Sequence, residues 1–238
     1  MEVNELERLI REKEGSISLA FPALMRKVYV WMTMALVITG ITAYGVASSP
    51  GLMMTLFQNS AIIWGLIIAE FALVVAISAA IKKLSLTAAT FLFILYSVIN
   101  GATLSLIFAV YTRTSIAQVF FITAGTFGVM SLYGYFTKKD LTSIGKLLLM
   151  ALIGLIIATL VNVFLVKSSS FDLILSYIGV LIFVGLTAWD TQKIKHMLAM
   201  QSDMGEGAQK VALLGALSLY LDFINLFLYL LRIFGNRN

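Results

Sequence analysis

Three observations predict an all-α integral membrane protein, a bundle of seven transmembrane helices. Hydrophobic residues make up 60% of the 238-residue chain and charged residues 12%, with a mean hydropathy of +0.97, whereas soluble chains are roughly half apolar and a quarter charged. Seven apolar stretches each approach the ~20 residues needed to cross about 30 Å of hydrocarbon. The basic residues between those stretches fall mainly on one side.

The elements follow in order. Residues 1–27 read as a cytoplasmic N-terminal arm whose charged run "ELERLIREKE" carries Leu6, Leu9 and Ile10 at helical spacing. A short helix on the headgroups and a solvated tail both fit that pattern. The start is as acidic as it is basic and the first apolar run is long, so a cleaved signal peptide is not expected. Residues 28–238 form one transmembrane domain with spans at 28–48, 60–81, 86–110, 115–136, 145–166, 171–190 and 209–233. The connections are short, and no repeat, linker or soluble catalytic domain is present.

Thirteen lysines and arginines lie on the side of the N-terminal arm and four on the other: Arg113, Lys167, Arg232 and Arg237. The positive-inside rule places the N-terminus in the cytoplasm and the C-terminus outside. Trp31, Trp64 and Trp189 read as interfacial anchors. The net charge of +5 is sorted by membrane side rather than gathered in a patch, so no nucleic-acid partner is expected. The absence of cysteine excludes disulfides, thiolate metal sites and cysteine nucleophiles.

The functional signal lies in polar residues inside the spans. In the seventh, "SLYLDFINLFLYLLRIFG", Ser218, Asp222, Asn225, Tyr229 and Arg232 share an arc of about 80° at about 100° per residue. An ionised carboxylate in hydrocarbon costs at least a few kcal/mol, so that stripe must face other helices or a water-filled cavity. Glu70, within "LIIAEFALVV" of the second span, is the expected interhelical partner of Arg232. The rival reading has Arg232 snorkelling to the outer headgroups.

Asp190 closes the sixth span in "VGLTAWDTQKIKH". Alone it reads as an end-of-helix charge, but the sixth and seventh spans are antiparallel neighbours. A depth gap of roughly 10–15 Å by helical rise separates it from Asp222, to be closed by tilt or by a sixth span continuing past Lys193. If the carboxylates meet, they share one proton and titrate as a unit. Deprotonated, they form a hard oxygen site suited to transient Ca²⁺. Asn100, Thr103 and Asn162 are further candidates for cavity lining, or for simple helix–helix glue. His196 reads as a solvated loop residue.

"LMRKVYVWMTMALVITGITAY", "AWDTQKIKH" and "LSLYLDFINLFLYLLRIFG" together resemble the Bax inhibitor-1 (transmembrane Bax inhibitor motif) family over nearly the whole chain. The resemblance implies a central C-terminal helix ringed by the other six and a pH-sensitive passive calcium leak. Its proton-holding aspartate pair falls on Asp190 and Asp222, and its glutamate–arginine contact on Glu70 and Arg232. A basic residue at the inner end of the second helix in some bacterial relatives would correspond to Lys82 or Lys83 in "AAIKKLS". Minimal loops look bacterial, which places the chain in a cell inner membrane. The cell-death role of eukaryotic members is not carried over.

Rival classes leave fewer traces. Leu219-Tyr220-Leu221 before Asp222, and no proline after Pro50, remove the motifs of an intramembrane aspartyl protease. Beyond Lys210 at its inner entrance no lysine lies inside the seventh span for a retinal, and no phosphate-binding glycine loop exists for an ATP-driven pump. A proton-coupled transporter would use the same carboxylates, although the lack of proline in spans two to seven argues against broken helices. A regulatory partner of another membrane protein, such as a protease, is the third reading. The sequence therefore predicts no enzyme and no cofactor, with the bilayer, protons and permeant calcium as partners. It specifies no oligomeric state.

Overall fold

The computed structural model describes residues 3–201 and 203–237, with side chains described from Ala20 onward. The side chains of Leu6, Leu9 and Ile10 lie outside the described residues. The elements are α1 Val3–Ala47, α2 Pro50–Gln58, α3 Ser60–Ala80, α4 Leu86–Leu104, α5 Ile107–Val110, α6 Arg113–Phe136, α7 Thr142–Val161, α8 Ser169–Ala199 and α9 Glu206–Phe234. Among the described residues seven helices are long and apolar enough to cross a membrane, α5 and the turn after α7 continuing α4 and α7. Among the described residues no strand forms beyond one isolated bridge, Tyr111 to Arg237.

Local signals set the boundaries. Pro50 starts α2, where its missing N–H would be unpaired in any case. Asn59 caps α3 by accepting from the Ala61 N–H at 3.2 Å, and Ser85 caps α4 from Ala88 at 3.1 Å. Glu206 reaches from the start of α9 to the Leu86 N–H at 2.9 Å and pairs with Lys210 at 3.0 Å. An acidic side chain thus sits on the positive end of α4 and ties two helix starts together. At the opposite end, the Thr112 N–H donates to Asn236 O at 3.1 Å, while the Asn236 N–H donates to Ser115 Oγ at 2.9 Å.

Two spans are interrupted without proline. The third breaks at Ser105 and Leu106, where Ser105 Oγ donates to Ala102 O at 2.6 Å. The fifth closes with a π-helical turn, Asn162–Val166, stopped by Lys167 at φ 51°. Asn162 bridges that turn, donating to Ser168 O at 3.2 Å and accepting from its N–H at 3.0 Å. Its role is thus a loop staple, with both halves of the amide used. Both breaks lie at span ends, so a lack of proline did not guarantee unbroken helices.

The C-terminal helix is central. Of its most apolar stretch 67% is buried, against 6% in α3 and 11% in α7. It packs mainly against α8, α1, α6 and α4, while α3 rests on α4 and α7 on α8. The expected ring of six is therefore an inner ring of four with two outer helices. Lipid tails are as apolar as leucine, so burial alone does not hold such a bundle, and close packing of small residues must. Ala208, Ala212 and Ala216 on α9 are all buried, and Gly134 of α6 lies directly on the Ala188 backbone of α8. The outward side chains are large and apolar, with Phe71 and Phe121 each 73% exposed, as lipid contact requires.

Candidate functional site

The polar stripe of α9 faces α8. Asp222 is only 5% exposed, and its Oδ2 has no hydrogen-bond partner among the described residues. Asp190 and Lys193, both on α8, are the charged groups that face it. Ile194 lies against Gly215, and Gly179 against the Tyr229 ring. That antiparallel register sets Asp190 level with Leu219, less than one turn, about 4.5 Å of rise, from Asp222. The larger gap expected from sequence disappears because α8 runs on to Ala199 and α9 begins at Glu206.

The same extension places His196 on an exposed turn of α8 rather than in a loop. Trp189 is half-buried; its ring covers Gly145 near the start of α7 and carries Lys193 at 4.9 Å from its centre. Lys193 is the site residue that sequence reasoning missed. Its signal was the three-residue spacing from Asp190, which puts both on one helical face.

The Glu70–Arg232 pair does not form. Arg232 Nη1 lies 3.3 Å from Asp172 Oδ1 of α8 and its guanidinium 5.5 Å from the Tyr229 ring centre. Glu70 instead accepts from Thr103 Oγ1 at 2.6 Å and from Asn100 Nδ2 at 3.2 Å. The cause is layering, since α3 packs on α4, which stands between it and α9. Both members of the Arg232–Asp172 pair are more than a third exposed, at 37% and 34%, so solvent screens it. A double-mutant cycle on Asp172 and Arg232 is expected to give a coupling of about 0.2–1 kcal/mol, and one on Glu70 and Arg232 none. The reverse order, measured by thermal unfolding in detergent, would restore the original pairing.

The other stripe residues fill the helix seam. Tyr229 stacks on Phe183 at 5.9 Å, Asn225 Nδ2 donates to the Leu221 carbonyl of its own helix at 2.8 Å, and Ser218 is half-buried. Beside Asp190, a hydroxyl chain crosses three helices: Tyr29 to Ser131 at 2.6 Å, and Ser131 to Thr191 at 3.1 Å. Gln192 holds the α6–α7 loop through the Leu141 N–H at 2.9 Å and Lys139 O at 2.8 Å. A cleft of about 620 Å³ opens between α1 and α6 over Phe223, and a pocket of about 250 Å³ lies beside Trp189 and Lys193. Neither has Asp190 or Asp222 in its lining. Lys82 and Lys83 stand in the turn after α3.

Among the described residues no group of three or more histidines or carboxylates could hold a metal. Two carboxylates, one with a free oxygen, suit a passing cation but fall short of the six to eight oxygens around a resident Ca²⁺.

Comparison with known proteins places this geometry in context. A family model described as "Inhibitor of apoptosis-promoting Bax1" matches residues 22–238. The "Inner membrane protein YbhL" of Escherichia coli K12 is 55% identical over 215 residues, covering 90% of this chain and 91% of that protein. An uncharacterized protein of Borreliella burgdorferi is 47% identical over 213 residues, covering 90% and 91%. Another, from Rickettsia prowazekii, is 46% identical over 215 residues, covering 90% and 89%.

Proposed function

The chain belongs to the Bax inhibitor-1 family, and from that premise we propose that it is a pH-sensitive, passive Ca²⁺-permeable leak of a bacterial inner membrane. It works without catalysis or cofactor, and its gate is the packing of α9. The observation that carries this reading is Asp222, a carboxylate buried in the most enclosed helix with Oδ2 unpaired and Asp190 facing it. A lone buried charge of that kind is expensive, so in the closed bundle the pair holds a proton. When the pH rises, the proton leaves, and two like charges in one seam push α8 and α9 apart. A local charge change thereby biases a two-state element. The opened seam offers hard oxygens to a divalent cation, too few to trap it, which is what conduction requires.

Other features support the setting. The E. coli relative is named for the inner membrane, and the basic end of the bundle, where α8 turns into α9, suits the cytoplasm. The helical backbone of α1 runs from Val3, through the charged stretch ahead of the first apolar run. That extension favours, as a second role, docking to another membrane protein.

The test is Ca²⁺ entry into liposomes holding the purified full-length protein, followed with a trapped dye across a pH series. Entry that increases as the pH rises is the expected result. No entry above empty liposomes at any pH would sink the channel reading, and entry that requires an opposing proton gradient would replace it with a proton-coupled transporter.

A further inference from the structure

A second polar system lies away from the aspartates. Glu70 sits half-buried on the outer helix α3, and no lysine or arginine pairs with it among the described residues. From Glu70 a line of hydrogen-bond contacts runs inward: Asn100 Nδ2 at 3.2 Å, then Tyr220 Oη 2.9 Å from Asn100 Oδ1. It continues to Thr39 Oγ1 2.6 Å from Tyr220 Oη and ends at Ser97 O, 3.0 Å from Thr39 Oγ1. Four helices are joined: α3, α4, α9 and α1. Tyr220 is fully buried and lies two residues from Asp222 on α9.

Counting protons along this line distinguishes two states. With Glu70 ionised, the Asn100 amide must donate to it, which turns Oδ1 toward Tyr220 and obliges the tyrosine to donate there. Thr39 then has one proton for two neighbours, Tyr220 Oη and Ser97 O, and one contact goes without. With Glu70 protonated, its O–H donates to Asn100 Oδ1 after the amide turns over, an exchange that preserves the heavy-atom positions. Asn100 Nδ2 then donates to Tyr220, Tyr220 to Thr39, and Thr39 to Ser97 O. Every contact carries one proton, while Thr103 serves the other Glu70 oxygen in both states.

We propose that Glu70 is a second proton-binding site, whose occupancy sets the direction of the hydrogen-bond chain from α3 through Asn100 and Tyr220 to Thr39. The protonated form is the fully bonded one, and it fastens α9 to α1 and α4. A buried network gains most when each member is satisfied. The ionisable groups facing Glu70 are Tyr96 of α4 and Tyr220 of α9, and α2, its other neighbour, carries none. The device operates whether or not calcium is the permeant ion.

The test is pH-difference infrared spectroscopy of the full-length protein in nanodiscs of phosphatidylethanolamine and phosphatidylglycerol, with ring-labelled tyrosine. Glu70 is expected to give a protonated carboxyl band, absent in Glu70→Gln, that disappears as the pH rises. The tyrosine C–O–H mode, identified by its loss in Tyr220→Phe, is expected to shift with the same midpoint. In Glu70→Gln, the glutamine amide donates to Asn100 as the protonated acid does, so the Tyr220 mode is expected to stay at its low-pH position throughout. Asn100→Ala cuts the line, leaving the Glu70 band titrating and the tyrosine mode still. A Tyr220 mode that ignores Glu70, one that titrates unchanged in either variant, or no Glu70 acid band at any pH where the protein stays folded would each overturn the proposal.

Discussion

Asp222→Asn is expected to flatten the pH dependence of Ca²⁺ flux, while Asp190→Asn keeps a response with a displaced midpoint. The difference follows from position. Asp222 is enclosed on the central helix, so its charge acts on the packing of α9 directly. Asp190 is half-buried beside Lys193, and removing it changes the field at Asp222 without removing the group that must ionise in the seam. Asparagine keeps the shape of the side chain and cannot ionise, so the variant stays assembled and loses only the sensor. The size of the effect is bounded. One proton contributes about 1.4 kcal/mol per pH unit, and moving a two-state gate from 1:99 to 99:1 takes about 5.5 kcal/mol. With the aspartate pair alone releasing one proton, flux should therefore rise no more than about tenfold per pH unit and need about four units for the full swing. A steeper wild-type slope would demand more than one proton, and an unchanged slope in Asp222→Asn would remove the carboxylate from the gate.

Much of this arrangement was legible in the residues. Hydropathy located all seven spans, because the hydrocarbon core imposes a length that few other constraints imitate. The stripe through Ser218, Asp222 and Tyr229 was visible because helical geometry converts spacing into a face. What stayed hidden was the order of layers. Helical spacing says which residues share a face but not which helix lies opposite, so Glu70 and Arg232 were matched as the two unpaired charges in apolar runs. The acid that meets Arg232 is Asp172, in the first turn of α8, and nothing in its spacing points to Arg232. Span ends were hidden for a related reason: α8 and α9 remain helical beyond the apolar stretch, where helix–helix packing rather than lipid keeps them ordered. The alanine spacing at 208, 212 and 216 and the glycine at 134 carried the packing information, and only the structure shows what each meets.

The largest loss of stability is expected from the smallest change at that contact, Gly134→Ala. A Cβ on Gly134 would overlap the carbonyl and Cα of Ala188, which are backbone atoms that cannot rotate aside. Overpacking that side chains can absorb costs about 1–3 kcal/mol. Here α6 and α8 must separate along their length, and the expected cost is above about 3 kcal/mol. The control lies on the same helix: a Cβ at Gly128 meets nothing within 4 Å, so Gly128→Ala is expected to be neutral or to gain up to about 1 kcal/mol from helix propensity. Thermal unfolding in detergent compares the two, and equal behaviour would show that α6 does not sit on α8 as described. The contact also bears on function, since Ala188 lies two residues before Asp190. Lifting α6 from α8 frees the turn that presents Asp190 to Asp222, so any Gly134→Ala protein that still assembles is expected to leak calcium with a weakened dependence on pH.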